Sequence, residues 1–280
     1  MKKFRTGYLS GRFDMFNISH LALLQKAKAE CDYLIIGVLS TNKNNDKEPI
    51  ISLEDRLKIV EAIKYVDRAV PVDSSIGYAF EEDLKIDVIF TVNEESNKYL
   101  SIDNSLSKQL SQVPVIDLST EELDDSNKCF ELLQNDHSTS QNNEGRIGYT
   151  TGVYDMFHIG HLNLLRRAKE KCDYLIVGVS TDECVWGYKH KKPICSFEER
   201  AQIVSAIRYV DKVVPQNDMN KVKFLERHHF DVMFHGDEWK GTDLYNSYEE
   251  EFAKYGAIIE YLSHTEGISS SILRKKITDK

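Results

Sequence analysis

Residues Gly152–His161 read GVYDMFHIGH, and residues Gly11–His20 read GRFDMFNISH. Asn17 stands where the later copy has His158, and Ser19 where it has Gly160. The correspondence runs well beyond these ten residues. LLQKAKAECDYLIIGVLS (Leu23–Ser40) answers LLRRAKEKCDYLIVGVST (Leu164–Thr181), and ISLEDRLKIVEAIKYVDRAVP (Ile51–Pro71) answers CSFEERAQIVSAIRYVDKVVP (Cys195–Pro215). Agreement over dozens of residues in the same order is an internal duplication about one domain long.

Each copy carries the same order of patterns. A short apolar strand, YLSGRFD or YTTGVYD, turns into a helix whose apolar positions include Leu162, Leu165 and Ala168. A strand rich in β-branched residues follows, YLIIGV or YLIVGV, then a polar loop. The next helix opens at Ser52 or Ser196, and acids two and three positions later suit a capping box. YVDRAVP and YVDKVVP read as further strands, as do IDVIFT and FDVMFHG. Alternating strands and helices predict α/β architecture, with a parallel sheet flanked by helices in each copy. The polar stretch within Ser119–Arg146 reads as a linker in which CFELLQ can form a short helix, so domains are expected at 1–118 and 145–280 with a linker at 119–144.

A net charge of −9 disfavours nucleic-acid backbones and anionic membrane surfaces as partners, so an anionic substrate needs a local basic pocket. None of the five cysteines has metal-ligand spacing; Cys31 and Cys172 end matching helical patterns and read as small buried hydrophobes. MKKFRTGYL lacks the apolar run of a signal peptide, and no later stretch is apolar enough to span a bilayer. A reduced cytoplasmic protein is the expectation.

In a parallel α/β sheet, ligands gather beyond the carboxyl ends of the strands, where helix N-termini offer free N–H groups to anions. HIGH sits at such a passage. If the helix begins near His158, then His158 and His161 face one phosphate, and Gly160 lets a ligand approach the backbone; equally, two histidines at a helix start can be capping groups. YKHKKP places Lys189, Lys191 and Lys192 in a loop that is either a solvated face or a counter-charge for polyphosphate. Arg208 precedes a strand. Ser269, Ser270 and Ser271 in HTEGISSS (His264–Ser271) can cap the last helix or point its amides at phosphate. HGDEW (His235–Trp239) suits a nucleoside, or a turn with Trp239 packed beneath it.

Taken together, HxGH, the lysine loop, RYVD, the GDEW segment and TEGIS with its following serines resemble the cytidylyltransferases that activate small phosphorylated alcohols. The pattern looks most like the bacterial glycerol-3-phosphate enzymes of that family, whose relatives act on phosphoethanolamine and phosphocholine. The resemblance spans roughly Tyr149–Ile277 and implies two tandem Rossmann-like nucleotidyltransferase domains. It implies that His158 and His161 contact the triphosphate, that Lys191 and Arg208 lie at CTP, and that Lys189 and Lys221 serve the phosphorylated acceptor. Gly152, Val153, Tyr154 and Gly160 fall on its nucleotide turn. Asp237, Glu238 and Trp239 hold the nucleoside, and His264, Thr265, Glu266, Gly267, Ile268 and the three serines wrap CTP. It further implies Mg2+ carried by the triphosphate, with no carboxylate cage of protein ligands, and in-line attack by the acceptor phosphate on the α-phosphorus with loss of pyrophosphate. His264 departs from the arginine usual before TEGIS, exchanging a permanent five-donor fork for a smaller, titratable ring.

The first copy keeps the scaffold and lacks this chemistry. Besides Asn17 and Ser19, it has Lys47 and Glu48 opposite Lys191 and Lys192, TVNEE opposite HGDEW, and nothing like TEGISSS. Single-domain members pair as homodimers, so domain one is expected to act as an internal partner, and pairing of whole chains remains open. Other acceptors, such as phosphoethanolamine, phosphocholine or another polyol phosphate, stay open. So does a non-enzymatic nucleotide-binding regulator; a tRNA-synthetase-like role, suggested by the letters HIGH, lacks an RNA-binding extension.

Overall fold

A computed structural model describes residues 2–40, 48–72, 85–92, 113–118 and 145–279. The 119–144 linker with its CFELLQ helix, Lys47, and TVNEE beyond Val92 lie outside the described residues. The chain divides into two compact units, Met1–Asp125 with Leu273–Lys280, and Ser126–Ile272.

In the first, β1 (Phe4–Gly11), α1 (Ile18–Glu30), β2 (Cys31–Leu39), α2 (Leu53–Glu61), β3 (Arg68–Val72), β4 (Val88–Thr91) and β5 (Val115–Asp117) follow in order. The sheet runs β3-β2-β1-β4-β5, all parallel. In the second, β6 (Ile147–Gly152), α3 (Ile159–Lys169), β7 (Tyr174–Ser180), α4 (Asp182–Lys189), α5 (Phe197–Ser205) and β8 (Lys212–Gln216) come first. They are followed by α6 (Lys221–His228), β9 (Val232–Gly236), a 3₁₀ turn at Asp237–Trp239, α7 (Asp243–Ala253), β10 (Ile258–Leu262) and the first turn of α8 (Ser270–Thr278), whose residues from Leu273 on are grouped with the first unit. This sheet runs β10-β9-β6-β7-β8, again parallel. Each first strand is central, and the winding reverses beside it. These are the tandem Rossmann-like sheets expected from the duplicated pattern, and the crevice between β6 and β9 is the switch point where such sheets bind ligands.

Both sheets are covered, so their strands carry near-continuous apolar runs instead of alternation. Tyr8, Ile35 and Ile89 fill one core. Tyr149, Ile176, Met233, Phe224, Phe230 and Phe252 fill the other, where the Tyr149 and Phe230 rings stack at 4.8 Å. Cys31 is buried as expected, whereas Cys172 is only half-buried.

The stretch expected to be a polar loop after β7 is instead α4. Thr181 caps it by accepting from the Cys184 N–H, Asp182 and Glu183 favour its first turn, and His190 ends it in the left-handed conformation at φ 51°. Only Cys184 and Val185 are buried on this helix, too few apolar positions to show a period in sequence. Ser196 forms the full capping box with Glu199, while Ser52 supplies one half, accepting from the Asp55 N–H. Asn17 and His20 form a capping box that the sequence reading did not foresee.

The duplicated turn is held by a pair of ties that each copy keeps. Phe13 and Met15 in one, Tyr154 and Met156 in the other, adopt positive φ between 48° and 56° without being glycine, a cost that surrounding contacts must offset. Asp14 accepts from the N–H groups of Ile50 and Ile51, and Asp155 from those of Ile194 and Cys195. Buried Arg56 donates to the carbonyls of Ile51, Arg12 and Leu39; buried Arg200 donates to those of Cys195, Val153 and Ser180. The aspartate of DMF thus plays the same structural part in both copies.

Candidate active site

His158 is the N-cap of α3, extended at φ −140°, and its Nδ1 accepts the Gly160 N–H at 3.1 Å. The helix begins at the next residue, so His161 falls one turn along, and the two rings stack with centroids 3.8 Å apart at 20°. His161 also leans on Tyr154 and Phe157, at 5.2 and 5.6 Å. Its Nδ1 is enclosed and makes no hydrogen bond among the described residues. In the first copy the corresponding nitrogen, His20 Nδ1, accepts the Asn17 N–H and is used up by the cap.

The pair lines a cleft of about 390 Å³ in the second unit. Its floor is Thr150 and Thr151 from the end of β6, with His235 and Gly236 from the end of β9; Lys189 at the end of α4 stands on one side. The far wall is Leu262, Ser263, His264, Thr265, Ile268 and Ser269–Ser271, running into α8. This wall is fastened back to the turn. Ser270 Oγ donates to the Asp155 carbonyl at 2.8 Å, Asn163 Nδ2 donates to Thr265 Oγ1 at 3.2 Å, and Ser269 Oγ accepts the Ile272 N–H. The N-terminal turns of α3 and α8 thus face one cavity, an arrangement suited to an anion.

Of the residues singled out in the sequence, the cleft gathers His158, Gly160, His161, Lys189, Glu238, His264, Thr265, Ile268, Ser269, Ser270 and Ser271. Outside its lining are Gly152, Val153, Tyr154, Lys191, Arg208, Lys221, Asp237, Trp239, Glu266 and Gly267. Tyr154 lies buried behind His161, and Arg208 and Lys191 are exposed. Asp237 accepts the His264 N–H at 3.3 Å, tying the two segments together. Trp239 is 39% exposed and packs on His235 and Tyr245. His235 and Gly236, from the HGDEW segment, also line the cleft; Thr150 and Thr151 escaped the sequence reading, although their position at a strand end beside the switch point was the available signal.

Burial, helped by the nearby His264, pushes His158 down to about 4, and burial with His158 and Lys189 beside it pushes His161 well below the ordinary histidine value. Without ligand both rings are neutral at pH 7. Burial also lowers His235 to about 4, with Lys221 adding to it, and brings Lys221 down to about 8. The folded state therefore binds fewer protons than the unfolded chain between the ordinary histidine value and pH 4. The stability contributed by His158 is complete above that ordinary value and is lost as pH falls toward 4. We expect the melting temperature to drop from pH 7 to pH 5, and His158→Asn, which copies the cap of the first unit, to flatten that slope in a calorimetric pH series.

A Cβ on Gly160 would lie 3.0 Å from two atoms of the His158 ring and 3.4 Å from Ile268 Cγ2. Closeness to the imidazole, then, is what glycine permits here. Gly160→Ala should push the ring aside and weaken binding of a polyphosphate such as pyrophosphate about tenfold, roughly 1.4 kcal/mol, read by titration calorimetry, with the fold retained.

Among the described residues, no three His, Cys, Asp or Glu side chains cluster to hold a metal, and no helix is long and apolar enough to cross a membrane. Glu238 is the carboxylate on the cleft, among serine and threonine hydroxyls, a donor set that fits Mg2+ held chiefly by phosphate and water.

A cytidylyltransferase-like family model matches residues 8–133 and again 149–276. Glycerol-3-phosphate cytidylyltransferase of Staphylococcus aureus is 40% identical over 132 residues, 47% of this chain and 94% of that protein. Ethanolamine-phosphate cytidylyltransferase of Mus musculus is 41% identical over 125 residues, 44% of this chain and 30% of that protein. A probable ethanolamine-phosphate cytidylyltransferase of Encephalitozoon cuniculi is 27% identical over 277 residues, 87% of this chain and 85% of that one. With both halves matched, the chain belongs to the cytidylyltransferase-like family, as two tandem copies of its nucleotidyltransferase domain.

Proposed function

We propose that the second unit transfers CMP from CTP to a small phosphorylated alcohol, glycerol 3-phosphate foremost, releasing pyrophosphate and giving CDP-glycerol. The observation that carries this reading is the stacked His158–His161 pair, neutral and set between two helix N-termini at the sheet's switch point. The attacking phosphate oxygen of the acceptor is already anionic, so no strong base is required, and positioning and charge stabilisation carry the reaction. His158 and His161 donate hydrogen bonds to the triphosphate as charge moves onto the leaving pyrophosphate. Lys189 brings positive charge to the same cleft, and the α8 amides hold phosphate from the opposite wall. Mg2+ bound with CTP would add charge neutralisation on the phosphates. Lys221, buried and mostly charged at pH 7, and Lys189 recognise the acceptor's phosphate. Asp237, Glu238 and Trp239 flank the nucleoside, and His264 takes the part of the family's arginine.

Glycerol 3-phosphate is supported by the likeness to the S. aureus enzyme over nearly all of that protein's length. Ethanolamine phosphate is a second reading, favoured by the E. cuniculi relative, whose match extends across both copies. The first copy, with the cap consuming His20 Nδ1, is proposed to be noncatalytic and to serve as an internal partner in the cytoplasm; a fragment 145–280 as stable and active as the whole chain would contradict that partnership. Pyrophosphate release from CTP and from ATP, measured with glycerol 3-phosphate, phosphoethanolamine and phosphocholine, tests the reaction and ranks the acceptors. CTP-dependent release with glycerol 3-phosphate is expected, and no CTP-dependent release with any of them would leave a nucleotide-binding protein.

A further inference from the structure

Thr150 Oγ1, Tyr154 Oη and His161 Nδ1 are enclosed side-chain polar atoms without hydrogen bonds among the described residues, as are Thr151 Oγ1 and the hydroxyl of Tyr149, whose ring packs on Phe224 and Phe230. An unsatisfied buried polar atom costs about 1–3 kcal/mol, so a cluster of them requires a reason. The molecule contains its own control, because the first copy folds into the same sheet. There Tyr8 keeps the hydroxyl of Tyr149, and Ser10 keeps that of Thr151. These two hydroxyls therefore accompany the fold. Thr150, however, faces Leu9 across the repeat, and Tyr154 faces Phe13, both fully buried and apolar. The two hydroxyls are absent in the copy that lacks His158 and Gly160, and present in the copy that has them.

Geometry links those two hydroxyls to His161. The Tyr154 ring lies 5.2 Å from the His161 ring, and its hydroxyl sits beside that of Thr150 without the alignment of a formed hydrogen bond. Phe13 meets His20 in nearly the same way, at 5.4 Å, so the ring packing alone needs no oxygen. His20 has its Nδ1 held by the Asn17 backbone, whereas His161 Nδ1 has no such partner.

We propose that Tyr154 and Thr150 are positioning residues for His161: their hydroxyls hold one enclosed water that donates to Nδ1 and so fixes the proton on Nε2. His161 then presents a constant N–H donor to the phosphate in the cleft, while remaining neutral. A water in such a place needs two to four polar partners, and the two hydroxyls and Nδ1 supply three. The inference rests on the reading of His161 as a triphosphate ligand.

The test compares the full-length wild type with Tyr154→Phe, Thr150→Val and, as a one-oxygen control, Tyr149→Phe. Measured are kcat, KM for CTP, the melting temperature, and the His161 tautomer from imidazole ¹⁵N shifts without substrate. Tyr154→Phe and Thr150→Val should each lower kcat about tenfold, the low end of what partners that orient a functional imidazole contribute. KM for CTP should change less than about threefold, since transition-state contacts are the ones lost. The melting temperature should hold or rise in Tyr154→Phe, because a hydroxyl without a protein partner has been removed, and the tautomer should shift away from Nε2–H. Tyr149→Phe should leave kcat and tautomer as in the wild type. Unchanged kcat and tautomer in Tyr154→Phe, or an equal loss in Tyr149→Phe, would overturn the proposal. Wild type inactive on every acceptor would instead sink the functional reading, and the tautomer would still decide this one.

Discussion

Replacing His161 by Ala is expected to lower kcat by on the order of 10²–10³, with kcat/KM falling alongside it, as loss of an electrostatic contact made in the transition state does. The ring is held by three aromatic neighbours and by the helix start, so it is oriented before any ligand arrives. It is also desolvated, which strengthens each hydrogen bond it makes to phosphate. A flexible surface histidine would supply far less. Steady-state pyrophosphate release measures the loss, and a change below about threefold would remove His161 from the chemistry.

Arg200→Ala should be the most damaging substitution for stability, costing roughly 3–5 kcal/mol, because three backbone carbonyls lose a charged hydrogen-bond donor at about 1–3 kcal/mol each. Arg200 is 1% exposed and serves three backbone carbonyls as well as Asp182. One of those carbonyls belongs to Val153, immediately before Tyr154 with its positive φ, so the strained turn loses its anchor. Chemical denaturation of the second unit should show the drop, and CTP affinity should weaken with it because the turn carries His158. Arg56→Ala removes the equivalent tie in the first unit, at Arg12 and Leu39, and should destabilise that unit without changing KM for CTP.

The duplication made most of the fold legible. Two copies of one strand and helix order, each rich in β-branched runs, point to parallel sheets; the strand order does not follow from that pattern and emerges only in the folded chain. α4 was hidden because its buried positions are few, and β10 because Ile258–Leu262 is the partly exposed edge of its sheet. In the site, the histidines and the TEGIS segment could be read because a helix start and a serine cap have local signatures. Arg200 could not, since its role depends on carbonyls far away in sequence. The same holds for Thr150 and Thr151, which become part of the cleft floor only once β6 and β9 lie side by side. Lys191 and Arg208, which the resemblance places at CTP, are exposed and outside the lining of this cleft.

The central claim is that one copy performs the reaction and the other supports the fold. CTP-dependent pyrophosphate release with glycerol 3-phosphate, compared across wild type, His161→Ala and Asn17→Ala, tests it most directly. The account predicts near-complete loss in His161→Ala and wild-type turnover in Asn17→Ala, whose cost is one helix cap, about 1 kcal/mol of first-unit stability. Turnover that survives His161→Ala, or that disappears in Asn17→Ala while the protein stays folded, would contradict it.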